Sequence, residues 1–550
     1  RLGFACLDRA AAGEYAEAFP GRFLWFDSLV SRRRCHEWRA GLLYSPDVSE
    51  AVSQSGPGPA SADTTRGRDS RVVPYLATAV ATLVYSFLAL RRVWELRARP
   101  FDAAFIDNVL YKVSAGLGDV SGLGGVSHFA DHTSALLLAA IPLYWVNAGV
   151  AYPTLLILQA LSVAMVGLAA WLVADTLGVS RGRKYILLLF VLASPMAYWA
   201  IIVELHMTGL SMGLVAMTIA GAYRRWRISV FWILPLLASL ARIEIAATVV
   251  VAGLLMLRVS RTHAKVTITI GGTVAVAMAV WLVFGPGEAP TTSVYFDYLG
   301  VASITEVPLA MLRQPRAVLA EVLNPVLLVS VLLWLVAIGV VLPMRAARWL
   351  LVGVPMLLLA VFSSHPPADL WYVHYWNLLW VGAAIAVAVS LAVWRFSDEV
   401  VVGIVVATLV VSWSVAGPIN ALPTFKIFYP NAPGPTQQAA EAASSVPGVL
   451  SATSRLVLPG AHREWLYDFP NPFACRKRQF ARFTLAGPPP DVVITRVGWE
   501  QLVSPEGIDE LRRTLATDYR VTETIGLYTV RSLVDGASPP LVVECEVTVE

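Results

Sequence analysis

The stretch RPFDAAFIDNVLYK, residues 99–112, places two carboxylates, Asp102 and Asp107, directly after an apolar run. A carboxylate at a membrane surface is suited to general base catalysis or to metal binding. Five residues correspond to about 140° of rotation around a helix, so the two side chains cannot face the same point. We expect one of them to act in chemistry while the other orients it. The alternative is an interfacial helix start with Asp102 as its N-cap.

Two further segments place ionisable residues between apolar runs. HFADHTS contains His128 and His132, four residues apart and therefore on one helical face. It lacks the H-E-x-x-H pattern of zinc proteases. The alternative is that these residues are surface polar groups or cap the helix of the next apolar run. VELHM contains Glu204 and His206, for which the alternative is a solvated loop tip.

The segment LARIEIA is a stronger indication of a site, because Arg242 and Glu244 interrupt a strongly apolar stretch. Intramembrane charges indicate a functional site, although an ion pair that braces a helical hairpin is the alternative. WYVHYW contributes Tyr372 and His374 at the start of another run, where an aromatic belt is the alternative.

The elements that must position these residues are membrane helices. Of the 550 residues, 57% are hydrophobic and 15% are charged, whereas soluble domains have about 45–50% and about 25%. The net charge of +4 is small and the arginines lie in short clusters, which argues against a nucleic-acid partner. The sequence shows no Walker loop, nucleophile elbow or D-x-D motif, which excludes nucleotide hydrolysis and most nucleotide-sugar chemistry.

Apolar runs near the roughly 20-residue membrane length predict a polytopic α-helical protein with about 10–12 transmembrane helices over residues 72–418. The run 230–258 is too long for one span, so we expect two short helices that meet at ARIE. The run 134–150, interrupted by Pro142, is predicted to be half-inserted or interfacial, because a full crossing would break the alternation of sides.

Charge sets the sidedness of these helices. Four basic clusters should be cytoplasmic, which places the first loop, residues 91–133, and everything after Pro418 outside. The clusters are RGRK, RRWR, RVSRTHAK and RAAR. We expect residues 1–71 to be a disordered or non-native tail, since they are arginine-rich and the Gly, Pro and Ser content of residues 53–71 is typical of a flexible linker.

The composition changes beyond Pro418. DVVIT and IGLYTVRS have the pattern of short strands, and SPEGIDELRRTL that of a capped amphipathic helix. These segments predict a small extracytoplasmic α/β domain over residues 430–550. Cys475 and Cys545 lie in it, and whether they form a disulfide stays open at this point.

In this order the segments resemble a bacterial membrane-protein family, number 2079 among the domains of unknown function. The family's F-D-x-x-x-x-D-Q/N hallmark is matched by Phe101, Asp102, Asp107 and Asn108. Its H-F-x-D-H-x-S segment is matched by His128, Phe129, Asp131, His132 and Ser134. HYW near His374 and LSATSRLVLPGAHREWLYDFPNPF, residues 450–473, complete the match. The acid that usually follows His206 is absent from this chain.

The family is distantly similar to glycosyltransferases of the GT-C fold, which take sugar from a polyprenyl-phosphate donor and keep an acid in the first external loop. The resemblance implies a glycosyltransferase in the bacterial plasma membrane that works at the extracytoplasmic face. Asp102, or as second choice Asp107, would be the catalytic base. The implied substrate-binding residues, some of them possible ligands of a divalent metal, are His132, His206, Arg242, Glu244, Tyr372 and His374.

Two other classes of function remain open. A transporter or channel would use the external acids and histidines as a gate or proton path, and a non-catalytic envelope assembly protein would use its C-terminal domain to bind a partner. The partners expected in every case are lipids, with a polyprenyl-phosphate-linked substrate for the transferase. The sequence leaves the sugar, the acceptor, the metal and the oligomeric state open.

Overall fold

The computed structural model describes residues 69–96, 100–123, 127–129, 134–202, 205–284, 295–301, 305–339, 343–364, 374–416, 434–476, 483–485 and 487–545. The chain divides into two compact units. One comprises Arg1–Val73 and Ala421–Phe425, nearly all outside the described residues, and the other comprises Pro74–Asn420 and Lys426–Glu550. The predicted tail, residues 1–71, therefore lies outside the described residues except for its last three. Everything below concerns the second unit.

Apolar helices make up most of the described chain. In chain order they are α1 (Asp69–Trp94), α2 (Pro100–Ser114), α3 (Ile141–Thr176), α4 (Arg181–Leu192), α5 (Pro195–Ile202), α6 (Met207–Tyr223), α7 (Ile228–Phe231), α8 (Ile233–Ser239), α9 (Ile243–Met256), α10 (Arg261–Phe284), α11 (Val307–Arg313), α12 (Pro315–Val322), α13 (Pro325–Ala337), α14 (Val354–Val361), α15 (Asn377–Val393), α16 (Asp398–Ala416), α17 (Gly434–Ser445) and α18 (Pro505–Thr517).

The polytopic helical class predicted from the sequence is confirmed. Within the described ranges, six helical segments are long and apolar enough to cross a membrane, and α12 with α13, bent by 44°, would make seven. Four shorter apolar helices accompany them: Met207–Tyr223, Ile228–Ser239, Ile243–Met256 and Asn377–Val393. Apolar side chains such as Leu83 and Phe284 are 71% and 80% exposed, as expected of surfaces that contact lipid.

The runs 134–150 and 154–177 follow each other without a loop, as two helical pieces that meet at a kink at Asn147. A 3₁₀ turn, Ala135–Ala140, leads directly into α3, and the two together give a single candidate span. Pro142 lies in the first turn of α3, where its missing N–H costs nothing, so it does not interrupt the helix. The irregularity is at Asn147, whose backbone is extended.

The run 230–258 breaks where the sequence predicted. Helix α8 ends at Ser239 and helix α9 begins at Ile243. Arg242, directly before α9, has extended backbone dihedrals. The ring of Phe231, at the start of this pair, packs 4.6 Å from the ring of His263, which follows α9. Both ends therefore lie together and the run is a hairpin.

The basic clusters meet at one end of the helical bundle. Asp175, at the end of α3, pairs with Lys184 at 2.6 Å and with Arg224 at 2.8 Å. His263 Nε2 lies 2.7 Å from the carbonyl oxygen of Trp226. This contact brings the cluster RVSRTHAK, which contains His263, to the same end as RGRK and RRWR. Because α3 rises about 1.5 Å per residue, this end is roughly 40 Å from the kink at Asn147.

The C-terminal region contains the predicted sheet. Its strands are β1 (Leu450–Ala452), β2 (Leu466–Asp468), β3 (Phe483–Thr484), β4 (Val492–Arg496), β5 (Tyr519–Ile525), β6 (Tyr528–Leu533) and β7 (Glu544–Cys545). Five of them form a sheet of order β2-β1-β4-β6-β5, with β1 parallel to both β2 and β4 and with β6 antiparallel to its neighbours. Strands β3 and β7 form a separate antiparallel pair. A disulfide joins Cys475 to Cys545, with Cα atoms 5.5 Å apart.

Helix α2 shares a hydrophobic core with this sheet. Ala104, Phe105 and Val109 of α2 pack with residues of α17 and with Leu450 and Ile494 of the sheet. Burial of these side chains removes apolar area from water on both sides and so fixes α2 against the sheet. The helix of the first loop is thus held by residues more than 300 positions later in the chain.

Candidate functional site

Helix α2 carries the first two candidate residues. It begins at Pro100, so Asp102 lies inside the first turn and the N-cap interpretation is wrong. An acid in the first turn interacts favourably with the helix dipole. The side chain of Asp102 lies outside the described part of the structure. Asp107, one and a half turns later, is described fully and its side chain is only 5% exposed.

Asp107 binds a histidine from the C-terminal region. His462 Nε2 lies 3.1 Å from Oδ2 and 3.2 Å from Oδ1 of Asp107. The hydroxyl of Tyr144, near the start of α3, donates to Oδ1 at 2.6 Å. The imidazole also stacks on Tyr111, with ring centroids 5.3 Å apart and planes at 27°. Because a carboxylate only accepts, Nε2 carries the proton of this pair.

The neighbouring residue, Asn108, holds the backbone on both sides of this histidine. Its Nδ2 donates to the carbonyl oxygens of Ala461 at 2.7 Å and of Arg463 at 2.8 Å, and its Oδ1 accepts from Ser121 Oγ at 2.9 Å. Asp107 and Asn108 therefore bind the same three residues, 461–463. Asp107 binds the side chain of His462, and Asn108 binds the main-chain carbonyls on either side of it. The acid and the amide at these two positions therefore hold the same loop by different contacts.

Two cations hold the surrounding loop in place. The Arg463 guanidinium donates to the carbonyl oxygens of Gly460 and Ala443, each at 2.6 Å. Lys112 Nζ donates to the carbonyl oxygen of Val120 at 2.7 Å and lies 4.0 Å from the centroid of a Trp465 ring. These contacts limit the motion of the histidine, because both sides of its loop are tied to fixed carbonyls or rings.

The charges around His462 shift its protonation. Burial lowers the pKa of His462, but the hydrogen bond and the negative charge of Asp107 outweigh burial, so the pKa lies above its ordinary value. Burial of the neighbouring guanidinium, opposed by Tyr111, lowers the pKa of Arg463 to about 10. Burial likewise lowers the pKa of Lys112, against the charges of Glu464 and Asp119.

A second polar cluster surrounds the hairpin break. Arg242 is buried, donates from Nη2 to Glu244 Oε1 at 3.1 Å, and hydrogen bonds the hydroxyl of Tyr295. The hydroxyls of Tyr295 and Tyr375 are 2.6 Å apart. Glu244 Oε2 is buried and has no hydrogen-bond partner within the described ranges. The cluster thus combines a cation, two hydroxyls and an open carboxylate oxygen among apolar helices.

The segment 134–144 touches both clusters. The N–H of Leu136 donates to the carbonyl oxygen of Leu240, next to the hairpin break, at 2.8 Å. Tyr144 of the same segment binds Asp107. Both clusters therefore lie at the end of the bundle opposite Asp175 and its basic partners. No hydrogen bond or ion pair joins Asp107 to Arg242 in the part of the chain that the structure describes.

The remaining predicted residues have different outcomes. His206 precedes α6, and its N–H donates to Gln159 Oε1 at 2.9 Å. His374 lies in the 3₁₀ turn His374–Trp376, but its side chain is outside the described residues. His132 and Tyr372, like Asp131, Glu204 and His365, also lie outside them. Among the described residues, no three His, Cys, Asp or Glu side chains come together as a metal site would require.

His462 is the site residue that sequence reasoning missed. It is one of eight histidines in the chain, and it lies in LPGAHREW within the segment that carries the family resemblance. The Gly-Ala-His-Arg-Glu run has no periodicity and no metal-ligand spacing, so its type alone indicated a polar loop. Its partner is 355 positions earlier, and only the fold brings the two together.

The solved structures named here resemble the chain only distantly. By fold, the chain is similar to the ArnT protein of Cupriavidus metallidurans, whose structure has undecaprenyl phosphate bound, with a TM-score of 0.43 and 12% identity over 85% of this chain and all of that one. It is also similar to the Archaeoglobus fulgidus oligosaccharyltransferase in its apo form, with a TM-score of 0.42 and 10% identity over 85% of this chain and 75% of that one. Likenesses this distant assign no activity.

No curated protein matches the sequence. Residues 92–474, well over half of the chain, match the family described as predicted membrane protein, DUF2079. That match contains α2, the hairpin break and the loop of His462. The chain therefore belongs to the DUF2079 family of membrane proteins.

Proposed function

We propose that the protein is a membrane glycosyltransferase that moves a sugar from a polyprenyl-phosphate carrier to an acceptor hydroxyl. The reaction would take place at the end of the bundle where α2 and the hairpin break lie. The observation that carries the proposal is the Arg242 cluster, because it provides binding groups for a phosphate and for a hydroxyl inside an apolar setting.

The guanidinium of Arg242 suits a phosphate better than an ammonium would. Its planar fork of N–H donors matches phosphate oxygens in pairs, and its partner Glu244 takes only one bond in the described structure. The hydroxyls of Tyr295 and Tyr375 add donors beside it. Glu244 Oε2 is left as an acceptor for a sugar or acceptor hydroxyl. A lipid-linked phosphate would bring the negative charge and the apolar tail that this setting favours.

The acid–base group belongs to α2 and its surroundings. Asp102 and Asp107 remain the candidates predicted from the sequence, and a positioned base contributes about 10²–10⁴-fold to a rate. His132, His206, Tyr372 and His374 are proposed to line the substrate site or to hold a divalent metal.

We place this site on the extracytoplasmic face of the plasma membrane. The basic clusters at the other end of the bundle, around Lys184 and Arg224, support this orientation, since such clusters favour the cytoplasm. The Cys475–Cys545 disulfide supports it too, because disulfides persist in oxidising compartments.

The test is donor turnover by the full-length protein in lipid vesicles. Undecaprenyl phosphate carrying a panel of radiolabelled sugars is the probe, and a bacterial membrane extract supplies acceptor hydroxyls. Release of undecaprenyl phosphate is the readout, because it is the same product whichever acceptor takes the sugar. We expect the wild-type protein to turn over the donor. Arg242→Gln should lower the turnover rate at least about a hundredfold and should bind a photo-crosslinkable undecaprenyl phosphate more weakly. Arg242→Lys should recover little, because an ammonium lacks the fork.

The matched control is Arg224→Gln, which removes a paired arginine at the opposite end of the bundle. It should bind the carrier like the wild type. Carrier binding by Arg242→Gln at the wild-type level would contradict the proposal. Solute flux into the vesicles without release of undecaprenyl phosphate would instead favour a transporter.

A further inference from the structure

The imidazole of His462 and the carboxylate of Asp107 differ in access. The His462 side chain is 34% exposed, whereas that of Asp107 is 5% exposed. Both carboxylate oxygens of Asp107 already contact the imidazole, and Oδ1 also accepts the Tyr144 hydrogen bond. An acceptor molecule can therefore approach the imidazole but has little access to the acid.

The two ring nitrogens of His462 differ in their hydrogen bonds. In the described part of the chain, Nδ1 has no hydrogen-bond partner, while Nε2 is taken by Asp107. With the proton held on Nε2, Nδ1 presents a lone pair. This is the arrangement in which a buried carboxylate fixes the tautomer of a histidine that acts as general base.

The surroundings suit a substrate that arrives from the bilayer. Trp145 and Val146, which follow Tyr144 in α3, are 69% and 85% exposed. Exposed aromatic and apolar side chains at a helix end are typical of the membrane–water interface. The imidazole, a third exposed, lies against Tyr144 beside this interface, with ring centroids 6.3 Å apart.

We infer that His462 is the general base of the transfer and that Asp107 is its positioning residue. The inference rests on the proposed function and assigns the acid–base role within it. The acceptor oxygen bonds to C1 of the sugar as its proton moves to Nδ1. The bond from C1 to the phosphate oxygen breaks, and its electron pair leaves with the carrier phosphate.

The groups that face the imidazole define its titration. They are Asp107 and Tyr111 on α2, Tyr144 on α3, and the adjacent Arg463. The hydrogen bond to Asp107, followed by the negative charge of Asp107, is the strongest influence in favour of the protonated ring. Loss of this charge should therefore lower the pH at which Nδ1 becomes a free base.

A chemical readout tests the pairing without any turnover. Diethyl pyrocarbonate reacts with neutral imidazole, and mass spectrometry of the full-length protein in vesicles follows each histidine across pH. We expect His462 to become reactive at lower pH in Asp107→Asn than in the wild type. His263 is the internal control, because it is 5% exposed and both its nitrogens are hydrogen bonded, so it should stay unreactive. Identical wild-type and Asp107→Asn profiles would overturn the pairing.

Turnover tests the catalytic role, with the same labelled undecaprenyl-phosphate sugars. We expect His462→Gln to release carrier about 10²–10⁴-fold more slowly than the wild type while still binding the photo-crosslinkable carrier. His462→Ala should be rescued in part by added imidazole, which a purely structural histidine would not allow. Asp107→Asn should lower kcat and shift the pH–rate profile to lower pH, with KM little changed.

The outcomes separate this inference from the proposed function. If the wild type releases carrier and His462→Gln releases it as fast, the role of His462 is overturned and the function stands. If Asp102→Asn abolishes turnover while His462→Gln keeps it, the base is Asp102. If the wild type releases no carrier from any donor, the proposed function fails and this inference fails with it.

Discussion

The contact between Asn108 and the loop of His462 gives a prediction whose size can be worked out. Asn108 is fully buried and makes three hydrogen bonds, two of them to the carbonyl oxygens of Ala461 and Arg463. Asn108→Ala leaves the carbonyl oxygen of Arg463 without this donor, which costs about 1–3 kcal/mol. The carbonyl oxygen of Ala461 keeps the N–H of Arg463 at 2.9 Å, so the bond lost there is worth about 0.5–1.5 kcal/mol. The better helix propensity of alanine returns at most about 0.7 kcal/mol. We therefore expect the loop to lose about 1–4 kcal/mol of local stability.

Hydrogen exchange in lipid nanodiscs measures this loss directly. A change of about 1–4 kcal/mol corresponds to exchange about 5- to 800-fold faster for amides that open with the loop, here residues 459–466. Asn108→Gln should show a smaller effect, since it keeps an amide that can reach both carbonyls. This agrees with the Asn or Gln of the family hallmark.

The control is Asn324→Ala, which removes an N-cap whose Oδ1 accepts from the N–H of Val326 at 2.9 Å. It should cost about 0.5–2 kcal/mol at its own helix and leave residues 459–466 unchanged. Wild-type exchange of these residues in Asn108→Ala, or an equal rise in Asn324→Ala, would refute the reasoning.

Three further predictions concern packing, the disulfide and pH. A Cβ on Gly213 would meet the backbone of α3 at 2.4 Å, so Gly213→Leu should lower the thermal unfolding midpoint sharply, while Gly272→Leu, with open space around it, should not. Cys475→Ser opens a link that spans 70 residues and should cost about 4 kcal/mol, seen as faster proteolysis of residues 434–545. Alkylation of Cys475 or Cys545 in the wild-type protein in intact cells would contradict this prediction. Because the folded pKa of His462 is raised, its pairing with Asp107 stabilises fully below about pH 6.5 and is lost as pH rises through the folded value. Exchange of residues 459–466, corrected for intrinsic rates, should rise over that range in the wild type and not in Asp107→Asn.

Local sequence patterns predicted the elements well where one physical effect dominates. The charged pair in ARIE cannot lie in the middle of a straight span, and the hairpin does break there. The strand and helix patterns after residue 490 are confirmed as β4, β6 and α18. In contrast, hydropathy placed the boundary between the runs 134–150 and 154–177 after residue 150, whereas the helix is broken at Asn147, whose backbone is extended.

The site was harder to predict because it is assembled by contacts between distant segments. Hydropathy and spacing report on neighbours within a turn or two, and they gave Asp107 and Asn108 no partner. The burial that turns Asp107 from an accessible acid into a partner of His462 comes from α2 packing on the sheet. Tyr295 and Tyr375 likewise gain significance only from their positions next to Arg242.

The shared core of α2 and the sheet has a consequence for synthesis of the protein. Asn108 and Ala461 are 353 positions apart, so at about 5–20 residues per second α2 waits roughly 20–70 s for its partner. During that time Ala104, Phe105 and Val109 have no sheet to cover them. We expect the lipid surface or a chaperone to cover the apolar face of this helix in the nascent chain until the last quarter of the chain has emerged.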